Sequence, residues 1–316
     1  MGSGSMPARV LKGQRVHLLA LAGAAGMAPL LFIGGPDWAS GPFYRSVWNL
    51  GHIGLFALLT YALKPWHWLS GWRLWLAMTG LVLLLGILIE WLQSGTDRQT
   101  DWHDILRNLV GVWLVLAWWP VFSRNSRTYG PSWPLPVVAA LLLLLELGAT
   151  GTVAARQWQV NHQLPLLYDF RNENPALFWS GNPAPSDRHT ANHPQSLKLE
   201  LGTETYSGIS LDNLPADWRG YEQLTITLFN PSQEPLQLTL RINDVVHDRG
   251  DNAYGDRFNT RLLLDTGFNT FTLNLDDVRN APANRMMDMA NVRRLGLFTV
   301  RLPAPRTVFL SDLRLN

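Results

Sequence analysis

The sequence predicts two structural classes in one chain: an α-helical polytopic membrane domain of five transmembrane helices, then an all-β jelly roll or β-sandwich. Three observations predict this. Composition changes near residue 155, from Leu, Ala, Val, Trp and Gly with only Asp37, Glu90, Asp97, Asp101, Asp104 and Glu146 as acids, to a polar stretch rich in Asn, Asp, Thr, Arg and Pro. The first half holds apolar runs near the roughly 20 residues that a helix needs to cross a bilayer. The second half holds short runs, several alternating apolar and polar residues at period two, separated by turn residues.

The apolar runs fall at 16–34, 48–64, 72–93, 103–121 and 135–154. Trp48, Trp66, Trp68, Trp72, Trp75, Trp118 and Trp119 sit near their ends, as interfacial anchors do. Arg9, Lys12 and Arg15 precede the first run, Lys64 and Arg73 flank the second loop, and Arg124 and Arg127 lie in the fourth. The alternate loops hold only Arg45 and Arg98. This asymmetry predicts a cytoplasmic N-terminus, with the C-terminal domain extracytoplasmic after five spans. Reading the first run as a cleaved signal peptide, with GAAGMA supplying small residues, leaves the later topology unchanged. The opening MGSGS reads as an appended stretch before a natural start at Met6. The expected domains are therefore 6–155 in the membrane, a linker at 156–163, and a β domain at 164–316.

No cysteine is present, which excludes disulfides, thiolate metal sites and Cys nucleophiles. The net charge is +2, and no basic run is interleaved with aromatics, which argues against nucleic-acid binding. No phosphate-cradling Gly loop, G-x-S-x-G or H-E-x-x-H occurs.

The stretch IEWLQSGTDRQTDWHDILRNLVG (89–111) is too polar for a plain anchor. The predicted topology gathers Glu90, Gln93, Arg98, Asp101, Asp104 and Asn108 at the outer membrane surface, level with His52 of the second span. Asp101, Asp104, Asn108 and Gly111 share one helix face. An acid inside a span costs about 2.5–3.5 kcal/mol on insertion scales, so it normally faces the bundle interior and has a partner. The expectation is one pocket open to the outer leaflet, with Arg98 as anion contact and Glu90, Asp104 and His52 as acid–base candidates. Plainer roles stay open. Asp97 can be a solvated loop residue, Thr100 or Asp101 a helix cap, His52 an interfacial histidine on a backbone carbonyl. Glu146 can hydrogen-bond His52, Arg107 or a Trp N–H.

The order His52 … Phe56, Glu90-x-x-Gln93, Arg98, Asp101-x-x-Asp104, Asn108-x-x-Gly111 resembles VanZ-like membrane proteins over about residues 45–125. Members are small polytopic envelope proteins, and the founding member is linked to resistance to the glycopeptide teicoplanin. The resemblance implies envelope biology in a bacterial inner membrane without assigning a reaction, and the appended β domain departs from it.

In the second half, 168–170, 196–201, 206–211, 223–229, 236–242, 260–264, 269–275, 293–300 and 306–315 read as strands. The pieces DWRGYEQLTITLFNPSQEPLQLTLRIND (217–244), DRFN (256–259), GFNTFTLNL (267–275) and LSDLRL (310–315) resemble galactose-binding-like jelly rolls of the carbohydrate-binding-module kind. In the loop HDRGDNAYGDRFN (247–259), Asp251, Asn252, Tyr254 and Arg257 can supply the planar polar groups and the aromatic face that bind sugars. A flexible loop or a domain contact is the plainer alternative. Trp179 and Trp218 read as packing. Asp169 and Asp312, on the first and last expected strands, are expected to meet at one sheet edge. Jelly rolls of the resembled kind often place a structural Ca²⁺ there, an ion that needs six to eight oxygens.

Two functions follow as expectations. One is binding of an extracytoplasmic glycan, glycopeptide or lipid-linked saccharide, with membrane lipid as the other partner. The second is an outer-leaflet enzyme acting on a lipid or glycan headgroup through Glu90 or Asp104. A purely structural role, with the polar cluster knitting helices, is the third.

Overall fold

The structure is a computed structural model that describes residues 8–31, 35–36, 40–93, 102–123 and 134–316, with backbone alone at 8–13, 31, 90, 92, 93 and 123. Two compact units divide the chain, Met1–Ala154 and Ala155–Asn316.

The first unit is built on five long helices: α1 (Ala8–Met27), α2 (Pro42–Leu63), α3 (Gly71–Gln93), α4 (Trp102–Ser123) and α5 (Pro134–His162). Among the described residues four stretches, not the expected five, are long and apolar enough to cross a membrane: Pro42–His67, Gly71–Ile89, Trp102–Phe122 and Pro134–His162. The first expected span fails for a physical reason. Arg9, Lys12 and Arg15 occupy the start of α1, and the helix gives way to a 3-10 turn at Ala28–Leu31. Too few apolar residues remain between them to span the hydrocarbon core.

Local chemistry sets the helix ends. Pro42 occupies the first turn of α2 after an extended Gly41, where its missing N–H is not needed. The helix stops at Lys64, which turns left-handed and returns its N–H to the Thr60 carbonyl before Pro65. The backbones of α2 and α4 approach closely at Gly111, where a Cβ would collide with the Ile53 carbonyl oxygen. Around that contact Ala24, Leu55, Phe56, Leu74, Met78, Val82, Leu109, Val112 and Leu116 are buried together. Leucines on the opposite faces, such as Leu84, Leu144 and Leu145, are exposed, as a lipid-facing surface requires.

The second unit is a sandwich of two antiparallel sheets. The strands are β1 (Trp179–Ser180), β2 (Ala184–Ser186), β3 (Ser196–Leu201), β4 (Ser207–Leu211), β5 (Gln223–Asn230), β6 (Leu236–Asp244), β7 (Phe258–Leu264), β8 (Gly267–Asn274), β9 (Val292–Thr299) and β10 (Arg306–Leu315). One sheet runs β1-β4-β9-β6-β7 and the other β2-β3-β10-β5-β8. Two short helices, α6 (Val245–Arg249) and α7 (Leu275–Arg279), follow β6 and β8. Period-two alternation explains the layers. Leu236, Leu238, Leu240 and Ile242 of β6 point into the core, and Gln237, Thr239 and Arg241 between them do not. Leu197, Leu199, Leu224, Ile226, Leu228, Leu310 and Leu313 of the opposite sheet complete that core.

Two expectations change here. Residues 168–170 form no strand. Tyr168 and Phe170 instead pack edge-on against each other, and Tyr168 likewise against Phe178 and Trp179, so aromatic burial outweighs a ladder. The stretch expected as a linker is helical to His162, and Val160 is buried in the sandwich core.

That core draws on residues from Val160 onward, so residues 155–316 expressed alone should unfold in one cooperative transition with β-type circular dichroism. A fragment starting at 164 loses the Val160 side chain and should be less stable by about 1.5–3 kcal/mol. Equal denaturation midpoints for the two fragments would remove Val160 from the core's account.

Candidate functional site

The exposed face of the β1-β4-β9-β6-β7 sheet carries a cleft of about 480 Å³. Strand register assembles it. Ser180, Ser210, Gly296, Arg241 and Asn259 pair across five adjacent strands to form one row, and Gly208, Phe298, Thr239 and Arg261 form the next. Gly296 sits mid-row without a side chain, between Ser210 and Arg241, and leaves a hollow floor. A Cβ at Gly296 would meet only ordinary contacts, the nearest being 3.8 Å from the Ile209 carbonyl oxygen, so packing alone does not demand glycine there. Gly208 differs: a Cβ would run into the Leu297 carbonyl and Phe298. Tyr206 and Phe298 supply an edge-to-face aromatic wall, with ring centroids 5.9 Å apart. Arg241, Asn243, Asn252, Arg257 and Arg294 supply the polar lining.

The polar groups are tied to one another. Arg241 Nε donates to Asn243 Oδ1 at 3.1 Å, and Asn243 Nδ2 donates to Asp248 Oδ1 at 2.6 Å. Arg241 Nη2 and Arg257 Nη1 both donate to Asn252 Oδ1, at 3.2 and 3.0 Å, and His247 Nε2 lies 3.0 Å from the same oxygen. The Arg257 guanidinium also lies over the Tyr254 ring, 5.5 Å from its centroid. Asp248 is fully buried, 3.3 Å from Arg294 Nε. Burial pushes its carboxyl up, and the Arg294 and Arg293 charges oppose that. Burial and the charges of Arg257 and Arg294 push the Arg241 guanidinium down to about 10, with Asp248 opposing.

The loop that presents Asn252 and Arg257 is clamped from below. Arg285 grips Asp244 at the end of β6 with Nη1 and Nη2, at 2.5 and 2.8 Å, and Asp256 with Nε and Nη2, at 2.7 and 2.9 Å. Asp244 also caps α6 through the His247 N–H and accepts the Asp288 N–H. Burial works against an ionised Asp244, yet Arg285 and these N–H groups outweigh it and hold the carboxyl below its usual range.

Of the sugar-binding candidates, Asn252 and Arg257 line the cleft. Asp251 and Tyr254 are exposed beside it, and Tyr254 supports Arg257. The sequence reading missed Arg241, Asn243, Arg294, Gly296, Phe298 and Tyr206. For all but Tyr206 the signal was present in RLGLF (294–298) and in the non-apolar positions of LQLTLRIND (236–244), the faces of period-two runs opposite the core. Trp179 and Trp218 are buried.

Asp312 does not lie at a sheet edge. Its strand, β10, is central, and its carboxylate lies 2.9 Å from His193 Nε2 and 3.0 Å from Arg314 Nε. Asp169 Oδ1 accepts the Arg171 N–H. Among the described residues no group of three or more His, Asp or Glu side chains is arranged to hold a metal ion.

In the first unit the structure joins three of the expected pocket residues. His52 of α2 is buried between Asn108 Oδ1, 3.0 Å from Nδ1, and Asp104 Oδ2, 3.4 Å from Nε2, both on α4. Arg107 donates to Asp104 Oδ1 at 2.6 Å and to Glu146 Oε2 of α5 at 3.0 Å, so Glu146 takes one of the partners foreseen for it. Ser46 and Thr150 add a hydroxyl pair between α2 and α5. The side chains of Glu90 and Gln93, and Arg98 and Asp101 entirely, lie outside the described residues. The cavity beside His52, about 190 Å³, is lined mainly by apolar groups including Met27, Leu30, Val47 and Leu55.

No family model matches the chain, and no curated protein matches it. Among solved structures, the family 11 carbohydrate-binding module from Clostridium thermocellum, in complex with a beta-1,3-1,4-mixed-linked tetrasaccharide, is 13% identical. That match covers 48% of this chain and 94% of that one, with TM-score 0.37. An exo-beta-agarase is 15% identical over 48% of this chain and 24% of its own, TM-score 0.38. A non-crystalline-cellulose-specific module, CBM28, is 14% identical over 48% and 93%, TM-score 0.33.

Two measurements check these geometries. In detergent-solubilised full-length protein, Asn108→Leu strands His52 Nδ1 and should cost about 1–3 kcal/mol. Adding His52→Leu should recover part of that loss, because both polar groups are then gone; additive losses would deny the pair. The second concerns pH. A carboxyl held low in the folded state adds stability that is present above its unfolded pKa, about 3.9, and is lost as pH falls through the folded value. Thermal midpoints should therefore fall on acidification below about pH 4, less steeply in Asp244→Asn. Asp248, pushed up, contributes with the opposite sign, so the variant-minus-parent difference is the reading that counts; a flat difference would unseat Asp244.

Proposed function

We propose that this chain is a VanZ-like cell-envelope membrane protein whose galactose-binding-like sandwich holds an extracytoplasmic glycan, glycopeptide or lipid-linked saccharide, with a link to glycopeptide resistance. The observation that carries the reading is the cleft: its volume lies within the usual range for ligand sites, about 300–1,000 Å³. Its lining joins an aromatic wall to planar polar side chains, the pairing that sugar rings require. Lys64 and Arg73 between α2 and α3, with Arg124 and Arg127 after α4, support a sandwich outside the membrane. That inference does not depend on whether α1 crosses.

The test is a glycan panel against full-length protein in nanodiscs, backed by titration calorimetry. Phe298→Ala and Tyr206→Ala should each weaken binding about tenfold or more at an unchanged thermal midpoint, and Gly296→Leu should abolish it by filling the floor. A protein that binds no glycan, or variants that bind as the parent does, would overturn the reading.

A second reading, an outer-leaflet enzyme on a lipid or glycan headgroup, draws on His52. A ring that donates from Nδ1 to Asn108 Oδ1 and sets Nε2 3.4 Å from Asp104 Oδ2 is positioned to exchange a proton with that carboxylate. Asp104→Asn keeps the side chain's size. Loss of the envelope phenotype at normal protein level and normal glycan binding would favour it, and retention of the phenotype would exclude Asp104 from such a role.

A further inference from the structure

A neutral sugar presents hydroxyls that both donate and accept. A site made for it offers acceptors as well as donors, commonly carboxylates. The cleft on this sheet has hydroxyl and amide groups, from Ser180, Ser210, Asn243 and Asn252, but no carboxylate. Its lining holds three arginines and no Asp or Glu. Arg294 has acidic neighbours, Asp248 at 3.3 Å and Asp212 at 3.5 Å. Among the described residues Arg241 and Arg257 form no ion pair. Their partners are amide and imidazole groups and the Tyr254 ring.

The two guanidinium groups also converge. Both donate to one atom, Asn252 Oδ1, and His247 Nε2 stands 3.0 Å from it as well. An amide oxygen has two lone pairs, and the two guanidiniums take both, so the position concentrates cationic donors on one neutral acceptor. Asn252 sits in an exposed loop, in a left-handed conformation (φ 54°).

We propose that this cleft is selective for acidic saccharides, with the Arg241–Arg257 pair beside Asn252 forming the subsite for a carboxylate, sulfate or phosphate on the sugar. The inference rests on the glycan-binding reading above and narrows it to a ligand class. A guanidinium fork matches such oxyanions with two parallel hydrogen bonds. The half-buried Arg241, pushed down by burial and by its cationic neighbours against the more distant charge of Asp248, would gain a counter-charge in direct contact. Asn252 then holds the two guanidiniums in place until an anionic group replaces its oxygen.

The experiment uses full-length protein in nanodiscs of neutral lipid and compares matched probes: oligogalacturonate with the corresponding neutral galacto-oligosaccharide, then sulfated and phosphorylated oligosaccharides with their unsubstituted forms. The expected result is tighter binding of the acidic member by about tenfold or more, with affinity falling between roughly 50 and 500 mM NaCl as a screened pair requires. The set also separates carboxylate from sulfate and phosphate. Arg257→Gln, at the rim, should remove most of the preference and the salt dependence while leaving the melt unchanged. Arg241→Gln should do the same, and either variant carries the test if the other folds poorly. Equal binding of neutral and acidic members, or preference retained in both variants, overturns acid selectivity and leaves glycan binding standing. Absence of binding to every probe overturns both.

Discussion

The pleat of the five-stranded sheet is the constraint on which the cleft depends. Leu240 and Ile242 of β6, Leu295 and Leu297 of β9, and Ile209 and Leu211 of β4 must all face the opposite sheet, because burying them is what holds the two layers together. With a period of two, that requirement leaves no freedom for the residues between them. Arg241, Arg294, Gly296, Phe298, Gly208 and Ser210 are placed on the outer face by their neighbours' burial. A one-residue slip in any of the three strands would send leucines to water and arginines to the core. The apolar core therefore sets the position of the site as firmly as it sets the fold.

What the sheet does not place, the Arg285 clamp does. The segment after β6 carries Asn252 and Arg257, and a loop of that length would sample many conformations if left alone. Asp244 ends β6, caps α6 and takes both terminal nitrogens of Arg285, whose remaining contacts reach Asp256. One buried carboxylate thus connects the strand end, the helix start and the far side of the loop. The cost of burying it is met by four donated hydrogen bonds, and a loop fixed in this way presents its polar groups at defined distances from Arg241.

The strands of the sandwich were legible because alternation marks a half-buried strand directly: β3 and β10 match the expected limits residue for residue. The cleft was half legible. The loop 247–259 announced itself by its density of polar side chains, and Asn252 and Arg257 do line the site. Arg241, Arg294 and Phe298 were hidden because they come from strands far apart in the chain, and pairing register is a property of the fold, not of either strand alone. In the helical unit, acids inside apolar runs signalled the need for partners, and His52, Asp104, Asn108 and Arg107 do meet. The first run reads as a span only when apolar composition is counted across the 3-10 turn at Ala28–Leu31.

Arginine has opposite roles in the two units. Arg107 lies between Asp104 and Glu146, so its charge is met by acids on α4 and α5 and the group can serve to join helices where an unpaired charge would be expensive. Arg241 and Arg257 have no such acids, although Asp248 is close by: its Oδ1 is taken by Asn243, and Arg294 stands beside its Oδ2. With the nearby acids Asp248 and Asp212 set against Arg294, Arg241 and Arg257 keep the cleft lining cationic. A charge balanced inside the protein is architecture. A charge left to neutral partners at the mouth of a cleft weakens folding and is offset only when a ligand brings the opposite charge, which ties the polarity of the site to the chemistry of what it binds.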